Sequence, residues 1–402
     1  MKISTHQFSA LISSMEASAT LALTQRVREL KAKGKDVIGL TIGEPDFTTP
    51  DYIREAAKQA LDDGFTHYPP VAGLPALREA IATKLKRENN LNYSPQQIMV
   101  STGAKQSLYN VVLSILNPGD EAILPTPFWV SYHAMVHLAA AKSIFIPTDI
   151  DAAFKITPEQ LEAAITPKSR LLFMTTPSNP SGSMYSKEEL TALVEVLEKH
   201  PQIYIISDEI YEHIAFDREH LSLASFEHIY DRVITVNGFS KGYAMTGWRL
   251  GYIAASEAII QLAAKLQGQC TSGANTFAQK GAIAALEGGL QSCYAMRDAF
   301  KKRRDVLYQR LNNIQGLQTL LPDGAFYFYP DFSHFFGMHT PSGQQIKDID
   351  DLCMYLIDDA NLAIVTGKAF GTPKNARLSY AYAREILDKA LDRLEEGLAL
   401  LV

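Results

Sequence analysis

A lysine becomes a nucleophile only where its surroundings strip away water and push its pKa down. Lys241 stands in such a place, in Asn237-Gly238-Phe239-Ser240-Lys241-Gly242, just past the β-branched run Arg232–Val236. Asp208 stands in a comparable one, following the apolar run Ile203–Ser207 and opening Asp208-Glu209-Ile210-Tyr211. A carboxylate at the end of a buried strand is partly desolvated and calls for a cationic partner, unless it merely caps a helix. Asn179 sits in the rigid turn Pro177-Ser178-Asn179-Pro180-Ser181-Gly182, after Arg170–Thr175, where the backbone fixes its amide. Thr102-Gly103-Ala104-Lys105 joins Ile98–Ser101 to a helical pattern. A small-residue turn opening a helix presents N–H groups to an anion. Arg249 ends Ala244-Met245-Thr246-Gly247-Trp248-Arg249.

Taken singly, these residues have ordinary readings as turns, caps and solvated charges. Together they supply a reactive amine, a carboxylate, an amide, the phenol of Tyr211, an anion-binding turn and an arginine. That set matches what pyridoxal phosphate requires: a lysine for its aldehyde, an acid for its pyridine nitrogen, donors for its ring oxygen and a cup for its phosphate. The glycines spell neither GxGxxG nor a P-loop, so dinucleotide and nucleoside-triphosphate readings lose their main support.

These segments need elements to position them. Candidate strands are Ile98–Ser101, Glu121–Leu124, Ser143–Ile146, Arg170–Thr175, Ile203–Ser207, Arg232–Val236 and Arg249–Ala254. Helical patterns such as Ala104–Leu116, Pro127–Ala139 and Lys187–Glu198 alternate with them. Such alternation predicts a mainly parallel sheet covered by helices on both faces, with ligands at the carboxyl ends of its strands. The last two strands follow without a helix between them, so one is expected to run antiparallel. Toward the chain ends lie a helix near Ala22–Lys33 and an apolar run Val37–Ile42. Beyond a helical region at 261–313 come short strands near Phe326–Tyr329, Ala363–Val365 and Arg377–Tyr380, then a closing helix from Glu385. The expected architecture is α/β. Residues 1–48 form an N-terminal arm and part of a small domain, 49–310 a large cofactor domain, and 311–402 the rest of the small α+β domain.

Composition sets the outer bounds. The chain has 402 residues, 47% hydrophobic and 20% charged, which suits a globular protein of two or three domains and excludes a disordered one. The net charge of −6, with no basic tract, argues against nucleic-acid and anionic-membrane partners. Three widely spaced cysteines form neither a disulfide framework nor a CxxC pair, and no metal-ligand spacing is present. No apolar run reaches about 20 residues, so no segment reads as spanning a bilayer. The N-terminus lacks the apolar stretch of a signal peptide, and a cytoplasmic location is expected.

The ordered segments resemble the class I (fold type I) pyridoxal-phosphate aminotransferases. The likeness runs from Leu40-Thr41-Ile42-Gly43-Glu44-Pro45-Asp46-Phe47 to Ala376-Arg377-Leu378-Ser379-Tyr380, with the Asn179, Asp208, Lys241 and Arg249 motifs in family order and spacing. The resemblance implies a seven-stranded large-domain sheet and a role for each residue. Lys241 would be the Schiff-base lysine that also moves the substrate's Cα proton. Asp208 would pair with the pyridine nitrogen, and Asn179 and Tyr211 would bond the ring oxygen. Arg249, Ser240 and the helix start at Gly103, Ala104 and Lys105 would hold the phosphate. Trp129 would stack on the ring. Arg377, helped by the Gly43 N–H, would grip the substrate α-carboxylate. Tyr68, in His67-Tyr68-Pro69-Pro70, would reach the phosphate of a neighbouring subunit, making a homodimer with shared sites; Asn275 is a looser match to the same interface.

Within the family, Asn237-Gly238 resembles the bacterial aspartate and aspartate/prephenate aminotransferases. There a lysine at the position of Lys105 meets the substrate's distal carboxylate, and Thr20 matches a companion residue. The resemblance favours aspartate or glutamate as donor, with 2-oxoglutarate or oxaloacetate as acceptor and prephenate a further candidate. Aromatic and alanine-type substrates stay open. One departure stands out: many relatives carry Ser or Thr as a phosphate ligand where this chain has Gly238, and Ser240 is the nearest hydroxyl. His133, four residues past Trp129, is either a group behind Asp208 or a packed or surface histidine. A rival from another class is a serine hydrolase, because residues 238–242 spell GxSxG. A nucleophile elbow needs a helix after the turn, whereas Trp248–Ala254 reads as a strand.

Overall fold

The computed structural model describes residues 8–15 and 19–402, with side chains in the second stretch from residue 22. Its centre is a seven-stranded sheet of β1 (Ile98–Ser101), β2 (Glu121–Pro125), β3 (Lys142–Ile146), β4 (Ser169–Thr175), β5 (Tyr204–Asp208), β6 (Val233–Gly238) and β7 (Gly251–Ala254). The order across the sheet is β1-β7-β6-β5-β4-β2-β3, and β7 runs antiparallel to both neighbours while the other pairs are parallel. Strand residues bury both faces by alternation. Leu172 and Met174 of β4 feed one apolar cluster, and Leu171 and Phe173 feed the opposite one.

Helices cover both faces. Those that position the site are α1 (Pro75–Asn89), α2 (Ala104–Ile115), α3 (Ser131–Leu138), α4 (Gln291–Asn312) and α5 (Arg384–Ala399). The stretch read as one helix over Pro127–Ala139 becomes helical only at Ser131, so Phe128 and Trp129 lie in the turn before it. A third cluster joins the two ends of the chain, packing Leu40 with Phe300, Leu307, Phe326, Phe328, Leu378 and Leu394. Around it Tyr327–Phe328, Val365–Thr366 and Ala376–Ser379 form a small antiparallel sheet, and Ile38–Gly39 pairs parallel with Leu362–Ala363. The helix α4 bridges the parts: Cys293 packs with the first cluster, Phe300 and Leu307 with the third. Among the described residues no helix is long and apolar enough to cross a membrane.

Candidate active site

The carboxyl ends of β1, β4, β5 and β6 open onto a cavity of about 300 Å³, closed on its far side by Ile42–Glu44, Tyr327 and Arg377. Lys241, Asp208, Tyr211, Asn179, Arg249, Ser240, Ala104, Lys105, Trp129, Arg377 and Gly43 all line it, whereas Gly103, Tyr68, Asn275 and His133 do not. Lys241 follows β6, with Phe239 and Met245 buried on either side, and its ammonium donates to the Gly43 carbonyl. Burial lowers its pKa to about 8; Glu44 and Asp208 oppose that shift and Arg377 and Arg249 reinforce it. An amine so placed is within reach of its neutral form near pH 7.

Asp208 ends β5 at 4% exposure. Its Oδ2 accepts from Tyr132 Oη at 2.6 Å and its Oδ1 from the Ile210 N–H at 3.3 Å, both neutral donors. Burial pushes its pKa up to about 6 against the pull of those bonds. A buried carboxylate with neutral partners is suited to receive a cation.

Arg377, on the strand Ala376–Ser379, is 2% exposed and stacked between Tyr327 and Phe370 at 4.5 and 5.2 Å. Its Nη1 donates to Asn179 Oδ1 and its Nη2 to the Thr41 carbonyl, each at 2.9 Å. Its buried Nε–H has no partner among the described residues. Asn179 thus spends its oxygen on Arg377 and keeps its NH2 as a donor. Tyr211 is buried below Lys241, whose Nζ lies 5.8 Å from its ring, and its hydroxyl shares a 2.7 Å bond with Tyr327.

On the opposite wall, Gly103 caps α2 with φ +83°. A Cβ there would lie 2.5 Å from Arg249 Nη2, and one on Gly251 would lie 2.2 Å from the Ala104 nitrogen. Glycine at both positions lets the guanidinium and the helix start converge as a cup for an anion. Lys105 holds its Nζ 4.8 Å from the Trp129 ring. Partial burial and then Arg249 lower its pKa.

The matching family model, aminotransferase class I and II, covers residues 35–394. The chain belongs to this family. It is 46% identical to the aspartate/prephenate aminotransferase of Cereibacter sphaeroides, over 95% of this chain and 96% of that protein. It is 43% identical to the aspartate aminotransferase of Bacillus subtilis, over 96% and 97%. Among solved structures, the aspartate aminotransferase of Rhizobium meliloti superposes with a TM-score of 0.96 at 41% identity, covering 98% of this chain and all of that one. The Thermus thermophilus aspartate aminotransferase with maleate gives 0.90 at 38%, covering 97% and 99%.

In this aminotransferase the residue behind Asp208 is Tyr132, not His133. Of the two readings offered for His133 the packed or surface one holds: it is exposed on α3, lies beside Phe128 and Phe145, and bonds Ser143 Oγ at 2.8 Å. Tyr327, the hydroxyl partner of Tyr211, was also missed, because 116 residues separate the pair. Gly238 has a steric cause: paired with Gly251 across β6 and β7, a Cβ on it would meet Gly251 Cα and the Leu250 carbonyl at 2.9 Å. Ser240 is buried at the cavity wall. Beyond it the chain enters a short 3₁₀ turn, Thr246–Trp248, and then β7, so residues 238–242 form no nucleophile elbow. Tyr68 lies outside the cavity at 95% exposure, Asn275 accepts from the Ala278 N–H as a helix cap, and the Thr20 side chain lies outside the described residues.

Proposed function

We propose that this aminotransferase moves the amino group of aspartate or glutamate to a 2-oxo acid, 2-oxoglutarate or oxaloacetate and prephenate as a further acceptor, in two half-reactions on pyridoxal 5'-phosphate. The observation that carries the reading is the presence of two separate cations, Arg377 and Lys105, lining the same cavity as Lys241. A dicarboxylic substrate offers one carboxylate to each, as a planar fork and as a point charge. Relatives 45% and 46% identical over nearly the whole chain bear the names of aspartate and prephenate, which supports the same substrates here.

The donor set fits the cofactor. Asp208 is a buried carboxylate with only neutral bonding partners, and the Gly103–Arg249 cup is lined for a phosphate. When bound, pyridoxal phosphate supplies an electron-withdrawing ring that takes up the charge left on the substrate Cα. Asp208 holds the ring nitrogen protonated. Asn179 NH2 and Tyr211 Oη would donate to the ring oxygen, and Trp129 would pack against the ring. Arg249, Ser240 and the N–H groups at the start of α2 hold the phosphate. Arg377 and the Gly43 N–H orient the substrate α-carboxylate, so that the α-proton faces Lys241. Lys241, as a neutral amine, would take that proton from Cα and hand it to the cofactor carbon bonded to the amino nitrogen, and the reverse transfer would build the new amino acid in the second half-reaction.

Tyr68, an exposed aromatic, completes the phosphate site of a second copy in a homodimer, with Asn275 at the same interface. The large domain spans about 49–310 and the small one both chain ends. The unpaired cysteines fit the cytoplasm. Half-reaction spectroscopy with a panel of amino acids tests the substrate reading. Fast bleaching of the bound cofactor by aspartate and glutamate is expected; slow aspartate with fast phenylalanine or alanine would overturn it.

A further inference from the structure

Behind the wall that carries Tyr211 and Lys241 lies a second set of charged groups, none of which lines the cavity. Lys84, on α1, is 1% exposed. Its ammonium donates to Glu212 Oε1 and to Asn89 Oδ1 at 2.9 Å, and lies 3.6 Å from Glu88. Glu212 also accepts from Asn89 Nδ2 at 2.9 Å and from Asn237 Nδ2 at 2.8 Å. Asn237 Oδ1 accepts in turn from the Gly238 N–H at 2.7 Å. His213 Nε2 meets Glu88 at 2.9 Å, and its Nδ1 would lie 2.6 Å from a Cβ on Gly242.

The grouping of Glu88, Glu212 and His213 resembles a metal site, but a cation is already there: the Lys84 ammonium bonds or faces both carboxylates. Burial alone would raise the Glu212 pKa; Lys84, His213 and His220 hold it well below the usual carboxylate range. A buried ion pair seldom stabilises more than apolar side chains of the same volume, whereas a fully satisfied network selects one geometry. The geometry selected here joins two site-bearing segments. Glu212 follows Tyr211 directly, and Asn237 through Gly242 carries Ser240 and Lys241.

We propose that Lys84, Glu212 and Asn237 are positioning residues that hold the Tyr211 and Lys241 segments in one fixed relation. The proposal rests on the roles given above to Tyr211 and Lys241. It requires the network to act on the cofactor and on proton transfer but not on substrate carboxylates, because Arg377 and Lys105 sit on other segments.

The test uses full-length Asn237→Ala and the charge-neutral double variant Lys84→Met/Glu212→Gln. For each, thermal melting, pyridoxal phosphate affinity by absorbance titration, and kcat and KM for aspartate are measured. Folded variants are expected to lose on the order of tenfold or more in both cofactor affinity and kcat. Their KM for aspartate should stay within about twofold of wild type, the mark of lost positioning rather than lost substrate binding. A folded variant with wild-type cofactor affinity and kcat overturns the proposal, as does a rise in KM that matches the fall in kcat. Failure of both variants to fold overturns it too, since the cluster would then hold the fold rather than the site. A wild-type enzyme that bound no pyridoxal phosphate would instead refute the underlying cofactor reading.

Discussion

Replacing Tyr132 by Phe removes one hydroxyl and leaves the packing of α3 against the sheet intact. The hydroxyl donates to the buried Asp208 Oδ2 at 2.6 Å. A hydrogen bond to a charged acceptor contributes about 1.5–3 kcal/mol. One pKa unit corresponds to about 1.4 kcal/mol, so losing the bond should move Asp208 by about one to two units. The bond favours the carboxylate form; its loss therefore raises the pKa, from about 6 to about 7 or 8. Because the proposed ring cation needs an ionised Asp208, wild-type apoenzyme should lose pyridoxal phosphate affinity as pH falls through about 6. In Tyr132→Phe the same loss should begin one to two units higher, by the shift just worked out. The assay is the cofactor dissociation constant of apoenzyme, titrated by absorbance across that range. An unchanged midpoint, or one displaced downward, would refute the reasoning. The same group bears on stability. Folding raises Asp208 above its ordinary value, so its contribution to apoenzyme stability is full at low pH and lost as pH rises through about 6.

Three further changes follow from the geometry. Arg377→Lys keeps the charge but loses the fork held by Asn179 and Thr41. Its KM for aspartate should rise on the order of tenfold to a hundredfold in steady-state assays, and an unchanged KM would count against the carboxylate role. Lys105→Met should lower kcat/KM for aspartate relative to alanine by about tenfold or more, read from paired half-reactions; an unaltered ratio would remove Lys105 from substrate selection. Gly238→Ser forces a Cβ to within 2.9 Å of Gly251 Cα and the Leu250 carbonyl. It should cost about 1–3 kcal/mol, seen as a lower melting temperature, and a variant as stable as wild type would contradict the steric account.

The strands were legible because each is a short apolar run, buried on both faces everywhere but in the edge strand β3, and the chemistry-bearing residues because they stand just past those runs. Lys241, Asp208 and Asn179 could be picked out on that ground before any coordinates. The antiparallel course of β7 was legible for a related reason, the lack of a helix between it and β6. What escaped were contacts between distant segments. Tyr132 reaches Asp208 across 76 residues and Lys84 reaches Glu212 across 128, and nothing local marks either tyrosine or lysine. The start of α3 was misjudged because a helical pattern does not say where the helix starts; it begins four residues later than Pro127. The reason for Gly238 also lay in the pairing of β6 with β7, which puts Gly251 opposite it.

The central claim is that Lys241 is the amine that binds the cofactor and carries the Cα proton. Single-turnover spectroscopy of purified enzyme tests it most directly. Wild-type protein should carry a visible pyridoxal chromophore that aspartate bleaches and 2-oxoglutarate restores, while Lys241→Ala should fold, hold the cofactor without the lysine linkage and fail to complete either half-reaction. A wild-type protein without the chromophore, or Lys241→Ala turning over at the wild-type rate, would contradict the account.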